Sequence, residues 1–211
     1  MQNIQNIIFD YGNVIFMLDF ERAQKAFTDL GVNHVEHIFA HSGQTTLFDD
    51  FDIGKITAKE FRDGIRELTG RADLTDKQID IAWNALLIGV PQGRHELLHK
   101  MREKYNTFLL SNNNEIHYNF IMDYLKKEYG LDDYSRYFVK DYYSHLLGMR
   151  KPNKEIFEFV LQNHGLRPEE TLFIDDSPQH LETAAKIGIH TELLTAPDTL
   201  EMLLSRKGIF Q

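Results

Sequence analysis

The chain has no cysteine among its 211 residues, which excludes a disulfide framework, a thiolate nucleophile and cysteine-ligated zinc or iron–sulfur centres. It also has no stretch approaching the ~18 consecutive apolar residues of a membrane span. The segment Met1-Gln2-Asn3-Ile4-Gln5-Asn6 carries neither a basic n-region nor a long apolar h-region, so a cytoplasmic location without membrane contact is expected. Runs of lysine and arginine are missing too, and the formal net charge is −9. That balance argues against a nucleic-acid partner, whose phosphates are held by basic patches, while leaving room for one small anion. Internal repeats and low-complexity segments are likewise absent. What is present is 42% hydrophobic content, enough to bury a full core in one domain, with or without a sizeable insertion.

Ile7-Ile8-Phe9 reads as a short buried strand that stops at Asp10-Tyr11-Gly12-Asn13-Val14. The chain then turns helical. Phe20, Ala23, Phe27 and Leu30 share one helix face closed by Gly31. Thr57 with Glu60 and Thr75 with Gln78 form capping-box patterns ahead of two further helices. Asp49, Gly54, Ile56 and Glu60 fall at the first, sixth, eighth and twelfth positions of a calcium-loop pattern, but Phe51 and Ile53 stand where oxygen ligands belong, so a helix-entry turn is expected instead. Pro91 opens a helix, and Thr107-Phe108-Leu109-Leu110 is a second buried strand ending at Ser111-Asn112-Asn113-Asn114. Strands are also expected at Tyr137–Val139, Thr171–Ile174 and Thr191–Leu194, with a helix starting at Pro152 and another after Ser177-Pro178. Strands separated by helical segments predict an α/β fold, a parallel sheet covered on both faces. The helical stretch 18–88 is expected to be an insertion after the first strand, with 1–17 and 89–211 forming the sheet domain.

Polar clusters follow the strands: Asp10, Ser111-Asn112 and Asp175-Asp176, with Lys151 at a helix start. The carboxyl ends of parallel strands lie along one edge, so groups scattered through the chain can converge there. Gathered carboxylates repel, and a divalent cation with oxygen ligands, Mg2+ first, relieves that repulsion. One carboxylate is then free to act as a nucleophile. Lys151 suits a phosphoryl group as a point charge, and Ser111 with neighbouring N–H groups suits it as a donor.

In this order the motifs resemble those of the haloacid dehalogenase-like hydrolase superfamily: Phe9-Asp10 through Val14, Leu110-Ser111-Asn112, Lys151-Pro152 and Ile174-Asp175-Asp176-Ser177. Asn13-Val14, Ser111 to Asn114 and Gly148 to Pro152 are most similar to its sugar-1-phosphate phosphatase branch. The resemblance implies a Rossmann-like core with a helical cap and a phosphoric monoester hydrolase acting on a small phosphorylated substrate. It further implies Asp10 as nucleophile, Ser111, Asn112 and Lys151 on the phosphoryl group, and Mg2+ held by Asp10, the Gly12 carbonyl, Asp175 and Asp176.

One position departs from the family pattern. The residue two after the nucleophile is usually an aspartate that serves as acid and base, and here it is Gly12. His41 or Asp52 of the insertion could supply the proton instead. The alternatives are a haloacid dehalogenase using the same Asp10, which needs no metal, and a weak or inactive protein that binds a phosphorylated ligand. The oligomeric state is not readable from these patterns.

Overall fold

The computed structural model describes residues 3–33, 35 and 46–210. Its centre is a five-stranded sheet of β1 (Asn6–Phe9), β4 (Asn106–Ser111), β5 (Lys140–Tyr143), β6 (Thr171–Asp175) and β7 (His190–Leu193). The strand order is β5-β4-β1-β6-β7, and every pairing is parallel. Ile8 lies beside Phe108 on one side and Phe173 on the other. Successive side chains point to opposite faces, which is why Ile7, Phe9, Leu109, Leu172 and Ile174 join one core while Ile8, Phe108, Leu110 and Phe173 join the other. Both cores are covered by helices, so the strands need no polar face.

Between β1 and β4 the chain first forms β2 (Met17–Leu18) and β3 (Leu87–Gly89), which pair antiparallel as a two-stranded ribbon. The sequence did not announce this ribbon. It sets the entry and exit of the helical stretch side by side. Within that stretch lie α1 (Phe20–Asp29), α2 (Thr46–Asp52), α3 (Ala58–Thr69) and α4 (Asp76–Asn84). They enclose their own apolar cluster, with Phe51 and Phe61 stacked at 4.2 Å between ring centroids. Both capping boxes form as the sequence pattern requires, Thr57 with Glu60 and Thr75 with Gln78; such caps contribute about 1 kcal/mol each. Glu60 is therefore engaged with Thr57. Gly54 is in the left-handed region at φ 66°, and a Cβ there would lie 2.2 Å from the His145 carbonyl oxygen. The turn after α2 thus presses against the sheet domain as only glycine allows.

Three expectations shift. Phe20 is 48% exposed, so Ala23 and Phe27 alone form the buried face of α1. Helices α5 (Arg94–Lys104) and α8 (Lys154–His164) begin after Gly93 and Asn153, two or three residues beyond Pro91 and Pro152, which sit in the preceding turns. The third central strand runs over Lys140–Tyr143 rather than Tyr137–Val139. Tyr134, Tyr137 and Phe138 are buried from a turn, and only at Val139, whose N–H donates to Thr107 O, does pairing start. Among the described residues no helix is long and apolar enough to cross a membrane.

Candidate active site

Asp10 follows β1 directly and its N–H donates to Ile174 O at 2.9 Å, which fixes it at the carboxyl edge of the central strand. Asp175 ends the neighbouring β6, and Asp176 comes next. One carboxylate oxygen from each of these three residues lies within 4.8 Å of the others. Lys151 arrives from the loop between α7 (Ser144–Leu147) and α8 and is fully buried beneath them. Its Nζ donates to Asp10 Oδ1 at 2.5 Å and Asp175 Oδ2 at 2.7 Å.

The charges are uneven. Burial raises the Asp10 carboxyl to about 7 against the pull of Lys151. For Asp175 burial acts in the same direction, but Lys151 and His180 outweigh it and hold the carboxyl well below the usual range. Asp176 is raised by burial, against a hydrogen bond from Asn13. Three carboxyls and one lysine leave an excess of negative charge, which an added cation would offset.

Around this centre the structure gives Asn13, a residue of the first motif, a task the sequence did not show, and adds His180, which no motif marked. Asn13 sits at φ 54°, a left-handed conformation that asparagine tolerates better than most residues. Its Nδ2 donates to Asp176 Oδ2 at 2.9 Å and its Oδ1 accepts from the N–H of Leu18 at 3.0 Å. His180, in the first turn of α9 (Pro178–Lys186), places Nδ1 3.0 Å from both oxygens of Asp175, and the Ser177 N–H donates to Asp175 Oδ1 at 2.7 Å. Asp175 therefore has no idle oxygen, whereas Asp176, held by Asn13 through Oδ2, has no hydrogen-bond partner for Oδ1 among the described residues. The signal for His180 was its position: the third residue of a helix that begins at Pro178 turns back over the strand end.

Asn112 has a task beyond the one expected from sequence. Its Nδ2 donates to Lys151 O and its Oδ1 accepts from Lys151 N–H, both at 2.9 Å, so it braces the main chain that carries the lysine. Ser111 is buried behind it, with Oγ 3.3 Å from Asn112 O, and is not part of the cavity wall. The cavity, of about 650 Å³, opens over Asp10, Gly12 and Asp176. Arg150 and Asp49 form its far wall as an ion pair between the sheet domain and α2. Asp52 is turned toward Asn114 and Arg150 and does not line the cavity. His41 lies outside the described residues.

The central strand of this parallel sheet ends in a buried carboxylate that a lysine bridges to the first of two adjacent carboxylates on the next strand, which defines an α/β protein with an acidic site at its carboxyl edge. The chain belongs to the haloacid dehalogenase-like hydrolase family, whose model matches residues 4–188. It is 32% identical over 194 residues to a D-ribitol-5-phosphate phosphatase of Bacteroides thetaiotaomicron, covering 89% of this chain and 90% of that one. Among solved structures, a HAD family enzyme of the same organism, in complex with magnesium and inorganic phosphate, superposes with a TM-score of 0.84 at 38% identity, covering 95% of this chain and 98% of that one. A HAD-like hydrolase from Porphyromonas gingivalis gives a TM-score of 0.86 at 32% identity, with 99% of both chains covered.

Proposed function

We propose that this protein is a magnesium-dependent phosphatase acting on a small phosphorylated metabolite of the sugar or sugar-alcohol class. The observation that carries the reading is the Lys151 ammonium spanning Asp10 and Asp175 beside a third carboxylate at one strand edge. The all-oxygen donor set fits Mg2+. Asp10, the Gly12 carbonyl and Asp176 would hold it; Asp175, saturated by Lys151, Ser177 and His180, would reach it through water. Bound there, the ion supplies charge neutralisation for the carboxylates and the phosphoryl oxygens.

Asp10 would then attack phosphorus as the P–O bond to the ester oxygen breaks, that oxygen taking its proton from solvent; water next attacks the aspartyl-phosphate, returns a proton to solvent, restores the carboxylate and releases phosphate. Lys151 neutralises the transferring group, and Asn112, which lines the cavity, assists at the phosphoryl oxygens while holding Lys151 in place; Ser111, buried behind the wall, supports Asn112 rather than reaching the phosphoryl group. The helices between Leu18 and Leu87 act as the cap, closing the cavity against water and choosing the leaving group. The Asn13–Asp176 contact supports the phosphatase over a dehalogenase, because it orients a carboxylate that halide displacement does not require.

Phosphate release from a panel of phosphomonoesters, with Mg2+ and with a chelator, tests the proposal. Turnover that disappears with the chelator supports it. Release of halide from a 2-haloacid, or silence across the panel, would overturn it.

A further inference from the structure

Resting on that reading, we infer that the Asp49–Arg150–Asp52 cluster selects against substrates whose leaving group carries a second anion. Arg150 is next to Lys151 in sequence and on the cavity wall in space, where a free guanidinium would be a second anion site. It is not free. Its Nη1 is paired with Asp49 and its Nη2 lies 3.5 Å from Asp52 Oδ2. Two carboxylates against one guanidinium, Asp49 on the wall and Asp52 just behind it, give this side of the cavity one excess negative charge once both acids are ionised. Lys151, the other cation of the wall, is committed to Asp10 and Asp175. Among the described residues, each lysine and arginine of the cavity wall is thus already paired with carboxylates, and of the two only Lys151 stands beside the nucleophile to serve the phosphoryl group, which leaves none for a second anion.

The cluster is built rather than incidental. Asp49 and Asp52 are three residues apart on α2, one turn of helix, so both carboxylates face the same guanidinium. The end of α2 is anchored to the sheet domain: the Asp52 carbonyl accepts from Ser144 Oγ at 2.5 Å, and Asp52 Oδ1 accepts from Asn114 Nδ2 at 3.4 Å. Asp49 is the outer member, with its side chain 46% exposed against 23% for Asp52. An ordered carboxylate beside guanidinium N–H groups offers acceptor and donor together, the pairing that hydroxyl groups satisfy and that a second carboxylate or phosphate does not.

The test is a charge series read on matched substrates. Glycerol 3-phosphate against 3-phosphoglycerate, and glucitol 6-phosphate against 6-phosphogluconate, each exchange an alcohol for a carboxylate at the far end. The wild type is expected to favour the alcohol in kcat/KM by tenfold or more in whichever pair it turns over. Asp49→Asn makes the wall neutral and is expected to narrow that ratio at least tenfold, through a lower KM for the carboxylate member. Asp49→Asn with Asp52→Asn makes the wall cationic and is expected to invert the ratio. Because the carboxylate substrate gains, a variant that merely folds poorly cannot imitate the result. Turnover with a ratio that stays constant along the series overturns this inference and leaves the phosphatase standing. Absence of turnover by the wild type on every phosphomonoester overturns both.

Discussion

Leu18 fills the space that a side chain at Gly12 would need: a Cβ built on Gly12 lies 2.8 Å from Leu18 Cδ1 and 4.0 Å from Asp10 Oδ2. The position that would carry a proton-transferring carboxylate is thus both empty of side chain and sealed by an apolar one. Positioned acid–base catalysis is worth roughly 10²–10⁴-fold. Aryl and anomeric phosphates, whose leaving oxygens need less protonation, are expected to turn over faster than simple alkyl phosphates. Gly12→Asp alone forces Leu18 to move; Gly12→Asp with Leu18→Ala makes room and is expected to raise kcat on an alkyl phosphate above that of either single variant. Equal rates on glycerol phosphate and an aryl phosphate in the wild type would contradict the account.

Asn112→Ala removes both hydrogen bonds to the Lys151 main chain. Leaving a buried amide unsatisfied costs about 1–3 kcal/mol, so the melting temperature is expected to fall. A displaced Lys151 is expected to lower kcat more than it raises KM. A fall in stability with unchanged kcat would show that the brace does not position the lysine.

Asn13 orients Asp176 from a left-handed turn. Asn13→Ala loses that hydrogen bond and adds roughly 1–2 kcal/mol of backbone strain. Loss of an outer partner of a metal ligand commonly weakens binding by about 10–100-fold, and the Mg2+ concentration for half-maximal phosphate release is expected to rise accordingly. An unaltered Mg2+ dependence would remove Asp176 from the metal's ligands.

His117 gives the acid limb of stability a readable component. It stacks on Trp83 of α4, its Nδ1 lies 2.8 Å from Asn84 Oδ1, and burial pushes its pKa from 6.5 down to about 3. The unfolded chain takes up this proton near 6.5 and the folded chain only near 3. The stabilisation is therefore complete above about pH 6.5 and is lost as pH falls toward 3, with a limiting slope of about 1.4 kcal/mol per pH unit. Asp52 works the other way: burial raises it to about 6, so the folded chain gains its proton first and this group adds stability as pH falls through 6. His117→Gln is expected to flatten the decline in melting temperature between pH 6.5 and 4, and Asp52→Asn to steepen it. Parallel curves for all three proteins would contradict these assignments.

The candidate site was legible because parallel strands reduce a three-dimensional question to a one-dimensional one. An acid directly after an apolar run must lie at the same sheet edge as its counterparts, so Asp10, Asp175 and Asp176 could be gathered without coordinates. Lys151 joined them only through the order of motifs, since a helix start does not fix where a long side chain reaches. The Arg150–Asp49 pair spans 101 residues and depends on how α2 lies over the sheet domain, which hydrophobic periodicity does not encode. The third strand was displaced for a related reason: Tyr134, Tyr137 and Phe138 are apolar because they fill a core from a turn, and strand pairing starts only after them.

The central claim is that Asp10 carries the phosphoryl group. The most direct measurement is mass spectrometry of the Mg2+-loaded protein, acid-quenched during turnover of a phosphomonoester. The account requires a transient gain of one phosphoryl mass, confined to the peptide containing Asp10 and absent from Asp10→Asn, which should also release no phosphate. Phosphate release by Asp10→Asn at the wild-type rate, or a phosphoryl group found on another residue, would contradict it.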